Sequence, residues 1–152
     1  LEICHATIED AEKLLELQRL AYQSEAQLHN DFSIPPLTQT LDELKADFES
    51  KTILKIVEEG QLLASGQARL VSDTCHIGRM AVWPELQGKG VGGKLLSALE
   101  TLFPQANRVE LFTGEFSASN LAMYKRRGYV EFKTAQLGKT RVVYLERVLK
   151  RA

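Results

Sequence analysis

Cysteine is nearly missing from this chain. Cys4 and Cys75 are the two in 152 residues, too few for a disulfide scaffold or a cysteine-ligated zinc site. Neither sign of charge is in excess: 19 Lys and Arg stand against 20 Asp and Glu, a formal net charge of −1. That balance excludes a nucleic-acid binder that works by bulk positive charge. No uninterrupted apolar run nears the roughly 20 residues of a membrane helix. Residues 1–10 lack the basic-then-apolar pattern of a secretory signal, so a cytoplasmic location is expected. His5, His29 and His76 are too dispersed to suggest a metal site. What remains is ordinary for a soluble globular protein, with 44% hydrophobic and 26% charged residues. The length suits a single domain over residues 1–152, large enough to bury a core unaided.

The pattern along the chain alternates between the two regular periods. Residues 2–6 read as a short strand. Thr7, followed by Glu9 and Asp10, marks a helix start where the dipole favours negative charge. Ile8, Ala11, Leu14, Leu15, Leu17 and Ala21 then share a face, predicting a helix over 8–27. Residues 29–39, with Asn30, Asp31, Pro35 and Pro36, read as a loop. Thr40 and Glu43 form a capping box for a short helix ending near Phe48. Strands follow over 52–57, 62–71 and 75–83, the first two joined by a Glu59-Gly60 turn. Helical spacing of Val91, Leu95, Ala98, Leu99 and Leu102 predicts a helix to about Leu102. Residues 108–113 alternate as a strand, 117–127 form a helix stopped by Gly128, and 129–133 and 140–148 read as a closing strand pair. The order is β-α-α-β-β-β-α-β-α-β-β, a mixed α/β layer fold.

The chemistry concentrates in one loop. Four of the ten glycines lie between Gly88 and Gly93. Such a run exposes consecutive backbone N–H groups which, with a helix N-terminus, cradle phosphate. The segment matches G-x-G-x-x-G, but that dinucleotide fingerprint must follow its strand directly, and Pro84-Glu85-Leu86-Gln87 intervenes. It also matches most of a P-loop, but Leu95 stands where Ser or Thr must hold magnesium. A third pattern fits the surroundings. Gln87, Gly90 and Gly92 fill Q/R-x-x-G-x-G/A after a strand. About 30 residues on comes Asn120-Leu121-Ala122-Met123-Tyr124, then Gly128-Tyr129. Together these resemble the acyl-CoA loop and the second signature of the GNAT superfamily of N-acyltransferases, in the expected order.

That resemblance implies a mixed, mostly antiparallel central sheet of about seven strands, splayed in the middle and flanked by about four helices. It implies acetyl transfer from acetyl-CoA, as co-substrate and without metal, to a primary amine by direct attack in a ternary complex. Gln87, Gly88, Lys89, Gly90, Val91, Gly92 and Gly93 would hold the pyrophosphate. Met80, Ala81 and Val82 would pair with the pantetheine arm, with the Val82 N–H as donor to the thioester carbonyl, and Asn120 would contact the same arm. Tyr124 matches the usual position of the acid that protonates the leaving thiolate. Many relatives carry Glu eleven positions before the loop glutamine; here that position holds His76, the candidate base. Tyr22, Glu25, His29 and Asp31 face the expected acceptor side, where acids near aromatics suit a cationic amine. The partner is then a small-molecule or peptide amine, with no nucleic acid or membrane, and homodimerisation stays open. The competing function is a non-catalytic acyl-CoA binding or sensor domain on the same fold.

Overall fold

The computed structural model describes residues 1–149. Seven strands form one sheet in the order β1-β2-β3-β4-β5-β7-β6. They are β1 (Glu2–His5), β2 (Thr52–Glu58), β3 (Gln61–Val71), β4 (Thr74–Val82), β5 (Arg108–Gly114), β6 (Val130–Leu137) and β7 (Thr140–Val148). Every neighbouring pair is antiparallel except β4 and β5, which run parallel. The connections explain this. Tight turns join β2–β3, β3–β4 and β6–β7, whereas a parallel step needs a crossover, supplied by α5 (Val91–Glu100).

Helices cover both faces of the first half of the sheet. On one face α5 buries Leu95, Leu96 and Leu99 against Leu54, Ile56, Ala64, Cys75 and Ile77. Gly66 permits this approach: a β-carbon there would lie 2.8 Å from Leu99 Cδ1 and 3.3 Å from Leu95 Cδ2. On the other face lie α1 (Ala11–Ala21), α2 (Gln23–His29), a one-turn α3 (Pro35–Thr38) and α4 (Leu41–Ser50). There Leu14, Leu15, Leu44 and Ile53 form one cluster and Leu17, Ala21 and Ala81 another. The last helix, α6 (Ala118–Arg126), follows β5.

Three element boundaries differ from the periodicity. The helix expected over 8–27 is a 3-10 turn, then α1, then α2, separated at Tyr22, where ψ is 1°. No proline or glycine marks the break, so the apolar spacing runs through it. The proline pair opens α3 where a loop was expected, since proline's fixed φ and missing N–H suit the first helical position. α5 stops at Glu100, and β6 runs on to Leu137 as an exposed edge strand. The Thr40–Glu43 capping box forms as expected, with bonds of 2.8 and 3.2 Å. Among the described residues, no helix is long and apolar enough to cross a membrane, and no cluster of three His, Cys, Asp or Glu could hold a metal.

Candidate active site

The sheet opens in its middle. β4 and β5 pair only through Thr74–Arg108, Cys75–Val109 and His76–Glu110. Beyond His76 each strand stays with its outer neighbour, β4 with β3 to Val82 and β5 with β7 to Gly114. A bulge accompanies the parting. Opposite Gly66, β4 carries two residues, Arg79 and Met80, and Arg79 adopts a left-handed φ of 51°. After the bulge the Trp83 N–H donates to Leu63 O at 2.9 Å. Val82 therefore forms a non-hydrogen-bonded pair with Ala64, and its own N–H and C=O face away from β3, into the opening. Gln87 Nε2 donates to that carbonyl at 3.1 Å. Ala81 instead spends its backbone on Ser65 and turns its methyl toward Leu17 and Ala21. Met80 packs on the α5 side of the core.

At the wide end of the opening lies the glycine loop. A 3-10 turn, Pro84–Leu86, leads into it. Gly88 and Gly90 have φ of 78° and 86°, and a β-carbon on either would meet open space. Gly90 caps α5 with no side chain, and the first turn holds no acid. The first intrahelical bond runs from the Lys94 N–H to Gly90 O at 3.2 Å, so the N–H groups of Val91, Gly92 and Gly93 are the orphans that every helix start leaves. Gly92 sits 3.8 Å from Val82 Cγ2, measured from an ideal β-carbon. Across Gly93 lies the Arg127 guanidinium, which donates to Ser97 Oγ at 2.9 Å. A cation beside a helix N-terminus is electrostatically out of place unless an anion sits between them.

The third wall is built by α2 and α6. Tyr124 is 6% exposed and meets the Tyr129 ring at a tilt of 56°, with 5.8 Å between centroids. Among the described residues its hydroxyl has no hydrogen-bond partner, yet that oxygen is not sealed from solvent. Burial, reinforced by Tyr22 and Glu25, pushes its pKa well above the usual phenol value, so it holds its proton at neutral pH. Burial likewise pushes Tyr22 up to about 12. The α6 cap is Ser117, and Asn120 stands in the first turn. Glu25 reaches across from α2: Ser117 Oγ donates to Oε2 at 2.5 Å and Asn120 Nδ2 to Oε1 at 3.5 Å. Asn120 Nδ2 also lies 3.3 Å from Thr113 Oγ1 at the end of β5. Glu25, Ser117, Asn120 and Thr113 thus form one hydrogen-bonded set at the end of β5, with Tyr22 and Tyr124 within electrostatic reach of Glu25.

The model of the acetyltransferase (GNAT) family matches residues 11–129. The chain belongs to the GNAT family. It is 30% identical over 153 residues to S-(2-succino)cysteine N-acetyltransferase of Bacillus subtilis (strain 168), covering 93% of this chain and 92% of that one. S-alkylcysteine N-acetyltransferase of the same organism is 31% identical over 136 residues, covering 82% and 75%. Among solved structures, the PaiA N-acetyltransferase of Thermoplasma acidophilum in complex with coenzyme A superposes with a TM-score of 0.81 at 16% identity, over 97% of this chain and 98% of that one. The chain is accordingly an acetyltransferase on a GNAT fold.

The remaining expected residues of this GNAT domain are placed elsewhere. His76 stands at the vertex of the opening, its Nδ1 3.5 Å from Glu110 Oε2 and its side chain 34% exposed. It points to the face opposite Cys75, whose Sγ donates to Leu99 O of α5. Burial holds its pKa below the usual imidazole value; Glu110 opposes this, and Arg69 and Arg108 add to it. His29 is committed at both nitrogens, Nδ1 to Glu25 O at 2.9 Å and Nε2 to the Phe116 N–H at 3.0 Å. The latter bond makes Nε2 the acceptor and leaves Nδ1 as the donor. Asp31 is buried and accepts from Ser33 N, Ser33 Oγ and Thr140 Oγ1. Those bonds, Ser33 first, hold its carboxyl below the usual range. His29 and Asp31, both expected on the acceptor side, thus tie the end of α2 to Phe116 and to Thr140 of β7. Lys89 is exposed.

Sequence reasoning missed two cations. Arg127 overlies the start of α5, and its signal was the Arg126-Arg127 pair before Gly128. Arg79 at the bulge donates to Gln39 Oε1 at 2.8 Å. Gln39 in turn meets Gln18 and Asp47 in a part-buried polar network that ties α1, α4 and β4 together. The signal for Arg79 was Gly78, directly before it inside the strand, since an isolated glycine in a strand pattern often marks a bulge.

Proposed function

We propose that this protein transfers the acetyl group of acetyl-CoA to the amine of a small acceptor, with S-substituted cysteines as first candidates, within one ternary complex. The carrying observation is the parting of β4 and β5 beside the glycine-rich start of α5, together with the unbonded Tyr124 hydroxyl. The residues present fit the donor. The orphan N–H groups of Val91, Gly92 and Gly93, with Gln87, Gly88, Lys89 and Gly90 shaping the loop and Arg127 adding charge, suit a pyrophosphate. The Val82 amide, facing the opening, suits pairing with an amide-rich arm as an added strand, with Met80 and Ala81 fixing its position and Asn120 across the gap. Bound there, acetyl-CoA supplies an acyl group activated as a thioester.

The chain's own groups then manage two protons. A free amine with an ordinary pKa near 10 arrives protonated. His76, neutral at pH 7, accepts a proton through water at the vertex of the opening. Tyr124, neutral and with its O–H uncommitted, gives its proton to the departing thiolate and is restored by the second proton, which the acylated nitrogen sheds as the amide forms. The Val82 N–H faces the oxygen that gains charge. Tyr22 and Glu25 line the acceptor side, and the likeness to the two cysteine-derivative acetyltransferases supports a small acceptor. The test is thiol release from acetyl-CoA against an amine panel that includes S-methyl-L-cysteine, alongside calorimetric titration with acetyl-CoA. Binding with no amine-dependent thiol release would leave the non-catalytic sensor reading instead. No binding of acetyl-CoA would refute both.

A further inference from the structure

Arg79 occupies a conformation that the backbone disfavours for it. At φ 51° a side chain crowds the following carbonyl, and glycine or a short polar residue sits there at lower cost. A long cation is held in that place and turned toward the α1–α4 side of the sheet, where it meets Gln39. The guanidinium is half-buried and carries five N–H donors. Among the described residues it has one hydrogen bond, to a neutral amide, and no carboxylate within ion-pair distance. Glu43 feels its charge, but one Glu43 oxygen is spent on the Thr40 N–H. A half-buried guanidinium without an anion is an incomplete pair, because desolvation is offset only when a counter-charge arrives.

Its surroundings say where that counter-charge comes from. Arg79 precedes Met80 directly, on the strand whose edge faces the opening. Tyr22 lies within electrostatic reach of both Arg79 and Glu25, and Tyr124 within reach of Tyr22 and Glu25. Arg79 from β4 and Glu25 from α2 therefore act on the same tyrosine with opposite sign. We propose that Arg79 binds the carboxylate of the acceptor, so that the enzyme selects amines that carry a carboxylate, α-amino acids foremost, over amines that lack one. This rests on the acetyltransferase reading above. Arg79 is a specificity residue here: it holds one end of the acceptor and moves no proton.

The test compares S-methyl-L-cysteine, its carboxamide and 2-(methylthio)ethylamine as acceptors, by thiol release from acetyl-CoA. For the wild-type protein, kcat/KM for the acid exceeds that for the amide by about 10- to 100-fold, the usual scale of a charge-assisted bidentate contact. Arg79→Gln raises KM for the acid by a similar factor and erases the acid-to-amide preference, while KM for acetyl-CoA stays within about twofold. Arg79→Lys restores part of the preference, because it keeps the charge and loses the fork. A merely structural arginine would change acid and amide alike. Equal use of acid and amide by the wild-type protein overturns the assignment without need of a folded variant, and so does a panel whose best acceptors lack a carboxylate. Failure of the parent reading looks different: no amine of any kind releases thiol.

Discussion

Two tyrosines whose rings meet at a tilt, 5.8 Å apart, should give opposite phenotypes when each loses its hydroxyl. Tyr124 has no hydrogen-bond partner among the described residues, so Tyr124→Phe strands no buried group and the ring keeps its packing. Its folding cost should stay below about 1 kcal/mol, since the penalty of an unmade bond does not arise. Its catalytic cost should be large. General acids typically contribute about 10²–10⁴-fold, or about 2.7–5.5 kcal/mol of barrier, and KM for acetyl-CoA should hardly move. Tyr129 is the reverse case. Its hydroxyl donates to Glu100 Oε2 at 2.6 Å, and the Glu100 side chain is 8% exposed, with Arg147 Nη1 at 3.0 Å as its other partner. Tyr129→Phe should cost about 1–3 kcal/mol of stability and leave kcat near the wild-type value. Urea titration measures the first quantity, and single-turnover kinetics with acetyl-CoA, where chemistry and not product release is observed, measures the second. A Tyr124→Phe protein with an unchanged single-turnover rate would refute the acid assignment. Tyr124 would then be a packing residue, and the thiolate would leave unprotonated or take its proton from solvent.

Three further outcomes follow from the site. Gly114→Ala should place a methyl against the His29 imidazole, costing about 1–3 kcal/mol by overpacking, and should raise acceptor KM more than acetyl-CoA KM because α2 carries Glu25; urea titration and steady-state kinetics check both. Because burial holds the His76 pKa below its usual value, the neutral base persists on acidification, so the acid-side inflection of kcat/KM should fall below about 6.5 and vanish in His76→Ala. An inflection retained by that variant would assign the base elsewhere. Gly90→Val should cost about 1–3 kcal/mol through its left-handed φ and weaken acetyl-CoA binding further by filling the cradle, as calorimetric titration would show.

Local grammar made much of the fold legible. Capping at Thr40, the turn at Glu59-Gly60, alternation in β3 and the glycine run before Val91 each fit within a window of a few residues, and each forms as read. For the candidate site, motifs that fix spacing nominate Gln87 to Gly93, Asn120 and Tyr124. The site was not legible where function depends on residues distant in sequence. Glu25 meets Ser117 across 92 positions and Asp31 meets Thr140 across 109, so neither partner, nor the competition for their carboxylates, is visible locally. His29 and Asp31 looked like acceptor contacts because their types suit an amine. In the fold they also bond to the Phe116 N–H and to Ser33 and Thr140. The break at Tyr22 carries no proline or glycine and surfaces only once the helices are docked, whereas the bulge at Arg79 follows Gly78 directly.

The bulge also fixes a phase. Before it, Cys75 and Ile77, odd-numbered, pack under α5; after it, Met80 and Val82, even-numbered, do so, while Ala81 turns toward α1. One supernumerary residue thus lets a single strand satisfy two incompatible alternations, one set by its core and one by its free edge. Substituting Arg79 changes a side chain and leaves that count intact. Deleting it would put the two halves of β4 out of step: either Cys75 and Ile77 leave the core, or the Val82 amide rotates back onto β3 and the edge offered to the donor is lost. Length at this position is therefore under a stricter constraint than identity. A library of point variants at residue 79 should fold where a one-residue deletion does not.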